Sequence, residues 1–272
     1  MIPFTKADAC GNDFLIVTEE AAGKHDRPEL ARRLCHRHTG IGADGVEFFS
    51  PTGPRSGRIR LHNADGSIAE ISGNGTRCVA AWMAMTLRLK PGDKLDISTD
   101  AGPRHCRIDS LKNADGFAVE VTTGMGIPTF KPHTLKLVDG AEVMGVEVST
   151  GNPHFVILVD NPAFTVAGKS FATIGAEICA HRDFPMHTNV EFARIVGEHE
   201  IEIRVVERGV GPTSSSGTGT AAAATAALAL RRSVSPLRVV APGGAQTIQW
   251  SGPGEEIFLT GPAALVASGE AW

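Results

Sequence analysis

An internal repeat constrains the fold of this chain more than any other feature of its sequence. Residues 59–76 read IRLHNADGSIAEISGNGT, residues 203–220 read IRVVERGVGPTSSSGTGT, and the two segments align without a gap at an offset of 144 residues. In each copy a β-rich run leads through a polar loop to Ser-Gly-x-Gly-Thr and then to a helical stretch. Chance similarity of two glycine-rich turns is the alternative, but the gapless alignment favours duplication. Because the offset is close to half of the 272 residues, the repeat predicts two related domains.

The rest of the chain alternates short β-type runs with turns rich in Gly, Pro, Asp and Asn. Helical patterns cover residues 27–37 and 169–181, and two further helical stretches begin after the two repeat serines. This predicts an α+β protein in which mixed sheets wrap around one principal helix per half. We expect the halves to be residues 1–120 and 121–272, with a boundary between 115 and 135, and leave open that a C-terminal strand crosses back.

Composition argues against several classes of function. The formal net charge of −4 disfavours a nucleic-acid partner, since backbone binding needs a basic face. No apolar run approaches the roughly 20 residues of a membrane span, and the N-terminus lacks the apolar core of a signal peptide. Five scattered cysteines fit a reducing compartment. We therefore expect a cytoplasmic protein without a membrane or nucleic-acid partner.

Three further motifs fail as cofactor sites. The group Cys35-His36-Arg37-His38 lacks a second ligand pair at zinc-like spacing. Residues 40–45, GIGADG, match G-x-G-x-x-G but follow a basic helical stretch instead of a strand. Gly168-Lys169-Ser170 resembles the end of a P-loop, yet Ala163 occupies the position of its first glycine. The sequence therefore predicts neither a metal nor a cofactor.

The repeated turn suits an anionic ligand. A Ser-Gly-x-Gly turn that opens a helix presents backbone N–H groups without intrahelical acceptors, and glycines let a ligand approach closely. With the helix dipole, this makes a site suited to a carboxylate. The alternative at each copy is a plain N-capping serine. Two copies, each after a polar loop, favour two binding sites that face one small ligand across a domain cleft.

Seven motifs follow one another along nearly the whole chain, at residues 11–14, 38–45, 63–67, 73–78, 151–154, 189–192 and 207–209. These motifs and their order resemble the diaminopimelate epimerase family. The resemblance implies two domains, each a β-barrel-like sheet around a central helix, with the active site in the interdomain cleft. It also implies a two-base proton transfer at the α-carbon that interconverts L,L- and meso-diaminopimelate without pyridoxal phosphate or metal, in lysine and peptidoglycan precursor biosynthesis. A homodimer would fit the family.

The resemblance also implies which residues hold the substrate. Gly73-Asn74 and Gly217-Thr218 match the helix N-termini that cradle the α-carboxylate. The guanidinium of Arg208 can form two parallel hydrogen bonds to a carboxylate, and His154 has either a positioning role or a purely structural role in its loop. The full set of expected substrate-binding residues is Asn12, Asn63, Gly73, Asn74, Asn152, His154, Asn189, Glu207, Arg208, Gly217 and Thr218.

The chain departs from the family at both catalytic positions, where Ser72 and Ser216 replace the two cysteine bases. A free cysteine thiol has a pKa of about 8.5 and becomes a usable base at a helix N-terminus. A serine hydroxyl is far less acidic, and the sequence offers no obvious activating base beside it. We therefore expect slow or altered proton transfer. Pro212 is a further departure, at a position where the family usually has glutamate.

Three hypotheses follow from these departures. The chain is an epimerase whose cysteines were replaced deliberately, a natural variant that acts slowly on diaminopimelate or on another amino acid, or a non-catalytic amino-acid-binding relative. All three keep the same pocket and the same class of small-molecule ligand.

Overall fold

The computed structural model describes residues 1–69, 72–113 and 116–272, so residues 70 and 71 of the first repeat copy lie outside the described residues. The chain folds as two units. Unit 1 comprises Met1–Gly124 and Thr260–Trp272, and unit 2 comprises Met125–Leu259. Both units combine strands with a few helices, which confirms the predicted α+β class.

Unit 1 is built mainly of strands. Its strands are β1 (Ile2–Ala9), β2 (Asn12–Thr18), β3 (Gly45–Gly53), β4 (Ser56–Asn63), β5 (Ile68–Ala69), β6 (Lys94–Thr99), β7 (Gly102–Lys112), β8 (Phe117–Gly124) and most of β17 (Phe258–Ala271). Its helices are α1 (Glu19–Ala22), α2 (Arg27–Cys35) and α3 (Gly73–Thr86).

The strands of unit 1 close into a barrel. The order of pairing is β1, β2, β3, β4, β6, β7, β8 and β17, and β17 returns to β1. The β2–β3 and β4–β6 pairs are parallel, whereas β1–β2, β3–β4, β6–β7, β7–β8 and β1–β17 are antiparallel. The described core around α3 contains Val79, Ala80 and Met83 of the helix and side chains of the surrounding strands. A helix buried among surrounding strands needs apolar or small side chains wherever it meets them, which explains the alanines, Val79 and Met83 of α3.

Unit 2 follows the same plan. Its strands are β9 (Thr129–Lys136), β10 (Glu142–Ser149), β11 (Pro153–Leu158), β12 (Asn189–Gly197), β13 (Glu200–Glu207), β14 (Gly211–Thr213), β15 (Leu237–Ala241) and β16 (Gly244–Gln249). Its helices are α4 (Phe171–Cys179) and α5 (Gly217–Ala229).

The strand ladder of unit 2 repeats the mixed pairing of unit 1. It runs β9, β10, β11, β12, β13, β15 and β16, with parallel pairing between β11 and β12 and between β13 and β15. Helix α5 lies in the core of this unit and contributes six buried alanines. Small side chains let the surrounding strands pack closely against the helix on every side.

The repeat offset extends well beyond the motif. Strand β3 begins at Gly45 and β12 at Asn189, β4 begins at Ser56 and β13 at Glu200, and α2 begins at Arg27 and α4 at Phe171. Helices α3 and α5 begin at Gly73 and Gly217. The four pairs of starting residues are all separated by the offset of the sequence repeat. Two similar halves, each around a principal helix, are therefore confirmed.

The last strand belongs with the first unit because of its backbone pairing. Residues 2–8 of β1 pair antiparallel with residues 264–271 of β17, and β17 also pairs with β8. Residues 121–124 and 260–272 therefore fold with the first half, whereas the division expected from the sequence assigns them to the second. Hydrogen bonding between strands far apart in sequence decides this membership.

Candidate functional site

The first repeat turn caps helix α3. The hydroxyl oxygen of Ser72 accepts a hydrogen bond of 3.0 Å from the backbone N–H of Gly75, and the Ser72 carbonyl accepts one of 2.9 Å from the N–H of Thr76. Ser72 has an extended backbone conformation, with φ −126° and ψ 121°. Strand β4, the loop after Asn63 and this cap therefore deliver the Ser72 side chain to the N-terminus of α3.

The second turn has the same geometry and gains a carboxyl partner. Ser216 caps α5 and accepts a hydrogen bond of 3.3 Å from the N–H of Gly219. A side-chain hydrogen bond also joins the Ser216 hydroxyl to the carboxyl of Glu207. Thr213 donates a second hydrogen bond, of 3.0 Å, to Glu207. Burial raises the pKa of the Glu207 carboxyl, and these two hydrogen bonds oppose the rise.

In unit 1 the structure links two of the expected binding residues. The amide of Asn74 donates to Asn12 over 3.2 Å, and Asn12 donates to Asp44 over 2.6 Å. The carbonyl oxygen of Asn74 accepts a 2.7 Å hydrogen bond from the buried guanidinium of Arg77. These contacts hold both amides in fixed orientations. Asn63, by contrast, donates to Ser67 over 3.0 Å within its own loop.

In unit 2 a chain of hydrogen bonds runs from a buried carboxylate to helix α5. Nδ1 of His154 lies 2.8 Å from Oε1 of Glu191, and Nε2 of His154 lies 2.9 Å from Oδ1 of Asn152. The amide N–H of Asn152 donates to the Thr218 hydroxyl over 3.3 Å. Both ring nitrogens of His154 therefore have polar partners, and the ring is held between Glu191 and Asn152. The histidine therefore positions Asn152 against the α5 terminus.

The remaining expected residues lie at the end of strand β13. Oδ1 of Asn189 accepts a 3.0 Å hydrogen bond from the backbone N–H of Arg208. The Arg208 side chain donates from Nη1 to the Met186 carbonyl over 3.2 Å. Its exposed guanidinium keeps further N–H donors for an anionic ligand.

Sequence reasoning missed two buried carboxyls, Glu47 on β3 and Glu191 on β12. Both are fully buried, and their numbers differ by the repeat offset. A Cβ atom placed on Gly75 would lie 2.0 Å from Oε1 of Glu47, and one placed on Gly219 would lie 2.7 Å from Oε1 of Glu191. The second glycine of each turn thus makes room for a carboxyl at the helix N-terminus. Applying the repeat offset to the NVEF motif would have revealed this pair.

The two carboxyls differ in their surroundings. Among the described residues neither carboxyl oxygen of Glu47 has a hydrogen-bond partner. Burial raises the pKa of Glu47 to about 8. Burial also raises the pKa of Glu191, but the charge and hydrogen bond of His154 oppose the rise. One half of the molecule therefore holds an isolated carboxyl, and the other holds a carboxylate paired with histidine.

The arrangement in each half can bind a carboxylate and move a proton. N–H groups in the first turns of α3 and α5 can stabilise negative charge on a ligand or on a developing enediolate. A serine caps each helix, and a buried carboxyl with a raised pKa lies against the second glycine of each turn. In the part of the chain that the structure describes, no three His, Cys, Asp or Glu side chains form a cluster that could hold a metal ion.

The second unit also contains a pocket of about 360 Å³ whose lining includes Asn152, Pro153 and His154. The histidine that orients Asn152 therefore lies beside open space within unit 2. No helix in the described ranges is long and apolar enough to cross a membrane.

Comparison with known proteins identifies the family. The family model for diaminopimelate epimerase matches residues 4–130 and 146–266. A diaminopimelate epimerase from Moorella thermoacetica is 37% identical over 98% of both chains, and one from Pseudomonas syringae pv. syringae is 35% identical over 99% of both. Among solved structures, a phenazine biosynthesis protein of the PhzF family from Bacillus anthracis superposes with a TM-score of 0.74 at 18% identity, covering 100% of this chain and 99% of that one. A probable proline racemase from Agrobacterium radiobacter K84 gives 0.73 at 14% identity, covering 100% and 93%. The chain therefore belongs to the diaminopimelate epimerase family of isomerases.

Proposed function

We propose that the protein interconverts L,L- and meso-diaminopimelate by proton transfer at the α-carbon, with the Ser72 turn and the Ser216 turn each serving one face of that carbon. The observation that carries the proposal is the duplicated helix N-terminus. Each copy has a capping serine at a position where the family resemblance implies a base. The resemblance and the full-length relatives support diaminopimelate as the substrate.

The binding roles follow from the donors at each terminus. The N–H groups of Gly73, Gly217 and Thr218 come before the first intrahelical bonds, so they can hold the reacting carboxylate. That contact strengthens as the α-carbon loses its proton, because negative charge then moves onto the carboxylate oxygens. The amides of Asn12, Asn63, Asn152 and Asn189, with Glu207 and Arg208, supply donors and acceptors for the rest of the amino acid.

The chemistry is weaker than with cysteine because of the serines. A serine hydroxyl needs a neighbouring base to accept its proton, whereas a thiol at a helix N-terminus ionises by itself. Ser216 has Glu207 as a hydrogen-bond partner, which makes a serine–carboxyl pair chemically workable. We propose low but measurable epimerase activity for the chain as it stands.

Deuterium incorporation tests the proposal. The protein is incubated with L,L-diaminopimelate in deuterated water, and α-hydrogen exchange and the meso product are followed together. We expect Ser72→Cys with Ser216→Cys to raise both rates by about 10² or more, since general-base efficiency depends on pKa. Restoring one cysteine alone should raise exchange more than inversion. Binding of diaminopimelate without exchange in the serine and double-cysteine proteins would instead support the non-catalytic relative.

A second candidate, an epimerase for another amino acid, is favoured by the two serines and Pro212, where the chain departs from the family pattern. Exchange assays with proline, hydroxyproline and glutamate beside diaminopimelate separate the two. Faster α-hydrogen exchange with one of these amino acids than with diaminopimelate would favour this second candidate.

The proposal also includes a cytoplasmic location and a homodimer. The five cysteines are all free and buried, which fits a reducing compartment. Light scattering of the purified protein measures the oligomeric state directly.

A further inference from the structure

Glu47 places a carboxyl directly behind the first catalytic turn. A Cβ atom added to Gly75 would lie 2.0 Å from Oε1 of Glu47 and 3.2 Å from Cβ of Ser72. The carboxyl oxygen and the serine side chain thus flank one small space from two sides. Because Gly75 has no side chain, nothing of that residue separates them.

The surroundings of Glu47 give this carboxyl no structural partner. Its cross-strand neighbours are Ile16 on β2 and Leu61 on β4, and both belong to the apolar core around α3. No described residue donates a hydrogen bond to its carboxyl oxygens. Burying such a group without a partner is costly, so a fold that needed only packing would be better served by an apolar side chain.

The repeat shows that the position is specific. Glu191 occupies the same place in unit 2, with its Oε1 2.7 Å from the site of a Gly219 Cβ and Ser216 Oγ 3.3 Å from it. There the carboxylate is paired with His154. His154 of β11 pairs with Asn189 of β12, and Phe14 of β2 pairs with Gly45 of β3. Because Asn189 and Gly45 are separated by the repeat offset, Phe14 is the unit 1 counterpart of His154. Glu47 therefore has the placement of Glu191 without its histidine partner.

We propose that Glu47 is the proton relay partner of Ser72, which it activates in place of the acidity that a cysteine would supply. The inference rests on the proposed function. When this side acts as the base, the α C–H bond breaks and its proton goes to Ser72 Oγ. The Ser72 hydroxyl makes no hydrogen bond to Glu47 in the structure; it turns across the space beside Gly75 and passes its proton to the Glu47 carboxylate, while the electron pair stays on the substrate as an enediolate. In the reverse direction the protonated carboxyl returns its proton through Ser72 to the α-carbon.

The electrostatics of the site suit this role. A general base is most effective when its pKa lies near the working pH, and burial brings the pKa of Glu47 to about 8. On α3, Cys78 lies near Glu47, and burial and the Glu47 carboxyl raise its thiol pKa. Arg77 on α3 and Asp8 on β1 also act on Cys78. The groups that face Glu47 across β2 and β4 are the apolar side chains of Ile16 and Leu61, and burial is the cause of its raised pKa.

The test uses both stereoisomers, since the α-hydrogens of L,L-diaminopimelate and of the D centre of meso-diaminopimelate face opposite bases. Deuterium wash-in is measured for the serine protein and for Glu47→Gln, Glu47→Asp and the control Glu120→Gln, in which a carboxyl of β8 in the same barrel is changed. We expect Glu47→Gln to slow exchange about 10²-fold for one stereoisomer and far less for the other. Glu47→Asp should recover part of the rate, and Glu120→Gln should match the parent.

The pH profile separates a relay from a structural role. Exchange of the affected stereoisomer should rise as pH increases through the ionisation of Glu47, and Glu47→Gln should lose that rise. In a Ser72→Cys, Ser216→Cys background the same substitution should have a much smaller effect, because a thiolate needs no relay.

Several results would overturn the inference. The first is that Glu47→Gln slows exchange equally for both stereoisomers and leaves the pH profile unchanged. The second is that Glu47→Gln does not slow exchange. The third is that the double-cysteine protein exchanges the α-hydrogen and the serine protein does not. In the first two cases the proposed function survives. In the third, the low activity proposed for the serine protein fails together with the relay, while the pocket remains that of an epimerase. If the serine and double-cysteine proteins are both folded and neither exchanges an α-hydrogen of diaminopimelate, the proposed function itself fails and the relay falls with it.

Discussion

Replacement of Glu47 by glutamine should make the protein more stable at neutral pH, although it removes a charged group. Glutamine has the shape of a protonated glutamate and no ionisation. The carboxyl has a pKa of about 8 in the folded protein, against an ordinary value of 4.5. The folded state therefore holds a proton that the unfolded state has released at pH values between these two.

The sign follows from proton linkage. Because the folded state binds more protons than the unfolded state between pH 4.5 and about pH 8, the stability contribution of Glu47 falls as pH rises through that window. Each pH unit costs up to about 1.4 kcal/mol. The gain on substitution should thus be near zero at pH 4.5 and about 3 kcal/mol at pH 7. Any cost of a buried amide without a partner is the same at every pH and does not change this slope.

Urea unfolding at several pH values measures the effect in unit 1. Trp82 packs against Phe49 in this unit, with ring centroids 4.9 Å apart, so a protein with Trp250→Phe and Trp272→Phe keeps Trp82 as its one tryptophan reporter. Glu20→Gln, at an exposed carboxylate on α1, is the matched control and should show little pH-dependent gain. If the Glu47→Gln and parent curves stay parallel from pH 5 to pH 8, Glu47 is ionised in the fold and the desolvation argument is wrong.

Two further substitutions test the packing at the turns. Gly75→Ala places a Cβ 2.0 Å from Oε1 of Glu47, so it should destabilise unit 1 by about 1–3 kcal/mol. The loss should shrink in a Glu47→Ala background, whereas equal losses in both backgrounds would contradict the contact. Glu191→Leu leaves Nδ1 of the buried His154 without its hydrogen-bond partner and should cost about 1–3 kcal/mol. Adding His154→Phe should recover much of that stability in urea unfolding, and no recovery would show that the pair does not carry the cost.

The buried glutamate carboxyl also explains why each turn has glycine at both positions of Gly-x-Gly, which anion binding alone does not explain. A ligand at the helix N-terminus needs the N–H groups of the first turn, but it does not need glycine at both positions of Gly-x-Gly. In both halves the second glycine lies against a buried carboxyl oxygen. The motif therefore combines a ligand-binding face with an internal face that admits a glutamate.

The sequence by itself determined the duplication, the α+β class and the family. All three rest on local patterns: the gapless repeat, alternating strand segments and motifs read in order along the chain. The offset between Gly73 and Gly217 fixes where the two principal helices begin, because a capping serine and two glycines define a helix start within a few residues.

The tertiary structure decided which residues surround each serine and where the chain returns. Strand β17 joins the first unit through pairing with β1, whose partner residues are more than 250 positions away along the chain. Within its own strand Glu47 reads as an ordinary polar residue, and its one sign in the sequence is that Glu191 of the NVEF motif lies at the repeat offset. Only the closure of the barrel around α3 places its carboxyl against Gly75 and removes it from water. The pKa of a side chain depends on what lies across the fold from it, and for that reason the acid–base chemistry of this site could not be predicted from motifs alone.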